Sequence, residues 1–207
     1  MSYATTVFFS CPFDREYRRL FEAIVFTIYE CGFQPRSTLE IDDSDEIRTP
    51  KIRVLIEQSR LGIHDLSVMA SGPDVLQDLN VPVELGMFLG AKAFGTGVHR
   101  RKAGLILDVD VTRETDEESL LAGMDIRYHR AEPEEAICHV RDFLYEHRRA
   151  RHFLPQADEI VERYYEFRTA LEESCAAHRI HEDSLTFRDL TTFIVGWMSV
   201  NPLALAA

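Results

Sequence analysis

The chain has 207 residues, 45% apolar and 28% charged, a balance that suits a folded globular protein and argues against long disorder. Its 35 Asp and Glu outnumber 23 Lys and Arg, and a net charge of −12 repels a nucleic-acid polymer. No segment approaches the roughly 20 apolar residues that span a bilayer, so no membrane partner is expected. Cys11, Cys31, Cys138 and Cys175 fit neither a CxxC pair nor a disulfide framework, and the opening Met-Ser-Tyr-Ala-Thr-Thr lacks the basic region of a secretory signal. A cytoplasmic protein with reduced thiols is expected.

Val7-Phe8-Phe9, within residues 4–10, predicts a buried strand. The loop from Ser10 to Asp14 leads into a helix over 15–31, with Asp14 as its cap and Gly32 as its terminator. A short strand follows at 33–36, then the acidic loop 40–46 and a helix over 51–60. Gly62 to Leu66 predicts a third strand, residues 69–79 a polar loop, and Val81 to Phe94 a helix that is apolar nearly all round and therefore buried on most sides. Gly104 to Asp108 and Ile126 to Tyr128 predict two more strands, and Glu132 to Arg149 an amphipathic helix opened by Pro133. The basic runs His99–Lys102 and His147–His152 sit among acids and suit solvated faces or helix C-termini.

Strands and helices alternating at this spacing specify βαβ units. Five strands suit a doubly wound, flavodoxin-like α/β fold with order 2-1-3-4-5. Beyond residue 150 the strand signals stop. Helices over 156–178 and 187–200 form an α-helical extension, so the chain divides at 1–150 and 151–207. The extension is expected to pack on the core, on another subunit or as a lid, and a homo-oligomer is expected.

In such a sheet, ligands bind beyond the carboxyl ends of the strands. Ser10, Cys11, Pro12 and Phe13 form one loop there. It suits an anion at a helix N-terminus or a ring stacked on Phe13, or else is a tight turn with Phe13 in the core. Asp65 ends a buried strand, where it can bind a ribose hydroxyl, orient a catalytic acid, or cap the Asp-Leu-Ser turn. His64 points to the opposite strand face, where a satisfied core or surface histidine is the simpler reading. Arg48 and Arg60 flank a helix and can clamp a phosphate or pair with the acidic loop. Asp42, Asp43, Asp45 and Glu46 lack EF-hand spacing, and Cys175, His178 and His181 lack a fourth ligand, so no metal and no cofactor are expected.

The strongest candidate is Glu84, in Asn80-Val-Pro-Val-Glu-Leu-Gly86. It is the only charge in the first ten residues of an apolar helix. A first-turn carboxylate there meets a cleft or a partner, and the helix dipole favours its ionised form. An ionised, partly desolvated glutamate suits a nucleophile or general base, and the alternative is a capping carboxylate. Asn80, the expected N-cap, joins the ligand-binding set.

Val7-Phe-Phe-Ser-Cys-Pro-Phe13, His64-Asp65, and Val83-Glu84-Leu-Gly86 with Gly90-Ala91 resemble the nucleoside 2-deoxyribosyltransferase family, whose wider superfamily includes TIR-type NAD hydrolases. The resemblance spans about residues 4–110. Two features depart from it: Asp78-Leu-Asn-Val-Pro replaces the Asp-Ser-Gly lead-in common before the family's catalytic glutamate, and the extension has no counterpart in the small transferases. The resemblance implies a flavodoxin-like fold with Glu84 as the nucleophile or oxocarbenium-stabilising carboxylate. It also implies that Asp65 holds substrate and that Ser10 to Phe13 line the base or sugar pocket. The function expected is cleavage or transfer of an N-glycosidic bond in a nucleoside, nucleotide or NAD-like molecule. The alternative is a nucleotide-binding sensor whose helical extension signals to a partner.

Overall fold

The structure is a computed structural model that describes residues 2–12, 15–40, 48–67, 79–109, 121, 124–148 and 153–203. Five parallel strands, β1 (Thr6–Ser10), β2 (Gln34–Arg36), β3 (Leu61–Asp65), β4 (Ala103–Asp108) and β5 (Ile126–Tyr128), form one sheet in the order β2-β1-β3-β4-β5. This is the flavodoxin-like α/β fold. The helices are α1 (Arg18–Glu30), α2 (Arg48–Gln58), α3 (Asn80–Phe94), α4 (Pro133–His147), α5 (Ala157–His178) and α6 (Phe187–Val200). Among the described residues, no helix is long and apolar enough to cross a membrane.

Alternation along the strands divides the core in two. Val7, Phe9, Leu61, Ile63, Leu105 and Leu107 face α1 and α4, whereas Phe8 packs with Leu55, Ile56 and Phe88 on the α2 and α3 side. α5 and α6 add a further layer outside α1. Ile160, Tyr164, Phe167, Leu171, Leu190 and Ile194 belong to the same apolar cluster as β1, so the extension shares its core with the sheet. Phe26 of α1 stacks on Phe167 at 5.2 Å, with Trp197 alongside.

α1 is therefore covered on both sides, and its two buried acids find their cations on α5. Arg168 donates to Glu22 at 2.8 Å and also to Glu172 and Glu182, and Arg18 donates to the other Glu22 oxygen at 2.7 Å. Arg163 donates to Glu30 at 2.8 Å. α1 ends in a Schellman motif: Gly32 adopts φ 74°, its N–H reaches Tyr29 O, and the Phe33 N–H reaches Ile28 O. Thr186 and Asp189 form a capping box that starts α6.

Three expectations change. α1 starts at Arg18 rather than 15, after a turn over 15–17, and its expected cap Asp14 lies outside the described residues. Lys102 is not solvated: it is 2% exposed, and its ammonium donates to Ile56 O and Ser59 O at the end of α2, beside the Phe88 ring. α3 is not buried on most sides. Val81, Glu84, Leu85 and Phe88 face inward, while Val83 is 59% and Phe94 90% exposed. The sheet and α2 cover one flank of α3, and among the described residues the flank opposite is left open.

Candidate functional site

The adjacent parallel strands β1 and β3 place Ser10 beside His64 at their carboxyl ends. The Ser10 hydroxyl and His64 Nδ1 lie 2.8 Å apart, and both side chains are fully buried. Burial pulls the His64 imidazole down to about 3, so the ring is neutral at ordinary pH. Among the described residues its Nε2 has no polar partner; the ring meets Phe88 edge-on at 5.2 Å. Gly62 makes room for this contact. A Cβ at position 62 would sit 2.7 Å from His64 Nε2 and 2.9 Å from the Phe88 ring. His64 is thus a core histidine, but only half satisfied: Nδ1 is tied to Ser10 while Nε2 faces an aromatic ring.

Asp65 leaves the opposite face of β3. Its carboxylate accepts from the Tyr17 hydroxyl at 2.5 Å, His129 Nε2 at 2.9 Å and the Ser67 N–H at 2.9 Å. Full burial alone would raise this carboxyl. The hydrogen bonds from His129, Ser67 and Tyr17 outweigh burial and hold it below the ordinary range. The Ser67 contact is the turn cap that Asp-Leu-Ser suggested. His129 Nδ1 accepts from the Ala131 N–H, so Nε2 carries the proton that Asp65 receives.

Ser67 Oγ also lies 3.1 Å from His129 Nε2. Serine, histidine and aspartate thus meet without forming a hydrolytic triad, because both partners compete for one ring nitrogen while the backbone occupies the other. The network instead locks two loops together. Its far end is the turn after β5, where Arg130 and Ala131 have φ of 49° and 64°, a conformation unfavourable for a residue with a Cβ.

Glu84 lies on the inward side of α3 and is 3% exposed. The helix begins at Asn80, one residue earlier than expected, so Glu84 occupies its fifth position. It is a second-turn residue rather than a first-turn one, and it lies beyond the strongest reach of the helix dipole. Neither capping reading applies at this position. Phe88, one turn further on, touches His64 and places this side of α3 over the β3 end. Glu84 is therefore one turn nearer the carboxyl edge. The last residue of β4, Asp108, is 3% exposed and alternates onto the same sheet face.

The other expected residues divide by exposure. Cys11 is 1% exposed and Pro12 half-buried behind the edge, whereas Asn80 is exposed at the start of α3. Phe13 and the acidic loop residues Asp42, Asp43, Asp45 and Glu46 lie outside the described residues. The Arg48 backbone opens α2; Arg60 sits at the opposite edge of the sheet, donating to His147 O at 3.0 Å. Glu84 on α3 and Asp65 on β3 lie on opposite sides of the sheet, so they are not brought together as a carboxylate pair.

Sequence reasoning missed Tyr17, His129 and Asp108 as members of this edge. Among the described residues no group of three His, Cys, Asp or Glu is placed to hold a metal ion. None of the four cysteines forms a disulfide. No family model, curated protein or solved structure matches this chain.

Proposed function

We propose that this chain cleaves or transfers the N-glycosidic bond of a nucleoside, nucleotide or NAD-like molecule, with Glu84 as the carboxylate that meets the anomeric carbon. The observation that carries this reading is the placement of Glu84. It is the only acid of α3, is almost fully buried, and lies one turn beyond the Phe88–His64 contact toward the edge where such sheets bind ligands. The resemblance around Val83-Glu84-Leu-Gly86 supports the same assignment.

Loss of the base takes the glycosidic electron pair with it and leaves an oxocarbenium-like sugar. A nearby carboxylate stabilises that charge or traps it covalently. Water then gives hydrolysis, and a second base gives transfer. In this reading Asp108, on the face shared with Glu84, is the second acid of the site. Asp65 is a positioning residue: its contacts to Tyr17, Ser67 and His129 hold the loops after β3 and β5. Asn80 and Pro12 have surface open to a ligand, while Ser10 and Cys11 support the edge from behind.

The test is chromatography of free base or nicotinamide after incubation with NAD and a panel of nucleosides and nucleotides. Wild type should release base, and Glu84→Gln should lower the rate at least ~100-fold while leaving the circular dichroism spectrum unchanged. Binding of these compounds without turnover by wild type would replace the enzyme reading with the nucleotide-sensor alternative. Equal turnover by Glu84→Gln would remove Glu84 from the chemistry.

A further inference from the structure

The outward side of α3 carries a stripe without a single charge. It runs through Leu79, Val83, Gly86, Gly90, Ala93 and Phe94, with Pro82 at its margin. Steps of four, three, four and three from Leu79 to Ala93 reproduce a coiled-coil seam, the narrow apolar track along which two helices pair. The four inward residues Val81, Glu84, Leu85 and Phe88 form a separate stripe on the opposite side. The seam is therefore additional to what docks α3 on the sheet. An apolar side chain as exposed as Phe94 gains little from burial within one copy.

The seam also has a shape. Its ends are large, with Leu79 50%, Val83 59% and Phe94 90% exposed, and its middle is glycine. Among the described residues a Cβ built on Gly86 meets nothing within 4 Å, so they leave that central surface open. A two-fold axis near the middle of α3 would set two seams antiparallel. Phe94 leans back over Gly90 of its own helix, 3.9 Å from where a Gly90 Cβ would lie, so the ring of each copy would rest between Val83 and Gly86 of the other. Each large ring then meets the glycine middle of the other helix, and the same patch serves both copies, as a closed dimer requires.

The area is sufficient. Phe94 opens on the order of 180 Å². With Leu79, Val83, neighbouring Val98 and the small residues between them, the face offers roughly 700 Å² per copy, close to the ~800 Å² each partner of a standard interface buries.

We propose that the outward face of α3 is a homodimer interface, formed by two copies of this chain pairing their α3 helices antiparallel about a two-fold axis.

Sedimentation equilibrium of the purified full chain tests this, with Gly86→Glu and Phe94→Glu as the disrupting variants. Both positions are outside the core, and replacing a helical glycine does not oppose helix formation. Wild type should sediment as a dimer at micromolar concentration. Each variant should weaken the dimer at least ~30-fold, the loss expected from one hot spot, with an unchanged circular dichroism spectrum. Val200→Glu serves as a control, because it alters the apolar groove between α5 and α6 on the other side of the molecule. It should leave the dimer intact. A monomeric wild type, an open-ended polymer, or a dimer that dissociates with Val200→Glu but survives both α3 variants would each overturn the proposal.

Discussion

α1 and α3 are both apolar around most of their circumference, and they lie on opposite faces of the same sheet. α1 is enclosed between the sheet and the α5 and α6 layer, and even its glutamates are buried against Arg163 and Arg168. α3 has the sheet on one side and an open seam on the other. The difference shows that apolar residues all round a helix do not say whether its own chain covers both sides. For α1 the cover comes from later in the same chain. For α3 no described part of the chain supplies it.

The comparison is broken most severely on the α1 side. Arg168→Ala leaves the buried Glu22 with Arg18 as its remaining partner, and should cost about 3–5 kcal/mol in urea denaturation. A Glu22→Leu and Arg168→Leu double variant should recover part of that loss, because well-packed apolar groups replace a buried ion pair at little cost. A loss below ~1 kcal/mol for the single variant would mean that α5 does not depend on this contact.

The next effect belongs to the α3 side, where His64 is locked neutral against Phe88. Its folded value is about 3 and its ordinary value 6.5, so between these limits the unfolded chain binds the extra proton. Stability is then fully present above about pH 6.5 and falls by up to about 1.4 kcal/mol per unit as the pH drops toward 3. Asp65, held below its ordinary value, adds to the loss in the lowest part of this range. Denaturation midpoints between pH 7 and 4 should show the slope in wild type and a shallower one in His64→Gln. A slope that His64→Gln leaves unchanged would assign the acid sensitivity elsewhere.

The smallest expected effect is the sharpest contrast with α1. Phe94→Ala should change the stability of the single copy by no more than ~0.5 kcal/mol, measured at dilution below dimer formation. A larger cost would show that the exposed flank of α3 contributes to the fold of one copy.

The sheet and much of the helical pattern were legible in the sequence because they rest on local signals. β5 and α6 have their expected bounds, the Schellman glycine Gly32 is in place, and the strand order follows from the alternation of elements. Helix starts were less legible: α3 begins with Leu79 as its cap, a residue without a side-chain oxygen to announce the position. The carboxyl edge was legible only one loop at a time. Asp65 stood out as a buried acid, but its partners Tyr17 and His129 lie 48 and 64 residues away, a distance no local pattern spans. Ser10 and His64 were each singled out, but their pairing depends on the register between β1 and β3. The hydropathy of α3 identified its apolar character without separating the side that meets the sheet from the side that does not.

Gly62 carries a consequence of a different kind, for the order in which this sequence can change. With the His64 and Phe88 rings in place, even one methyl group at position 62 would collide with both. The three positions are therefore coupled across strand and helix. A side chain can enter at 62 only after both rings have given way to smaller residues, and each such replacement first opens a void in the core. Mutational paths that take the steps in the other order begin with a clash. Position 62 is in this sense historically contingent, its freedom set by two residues elsewhere in the chain.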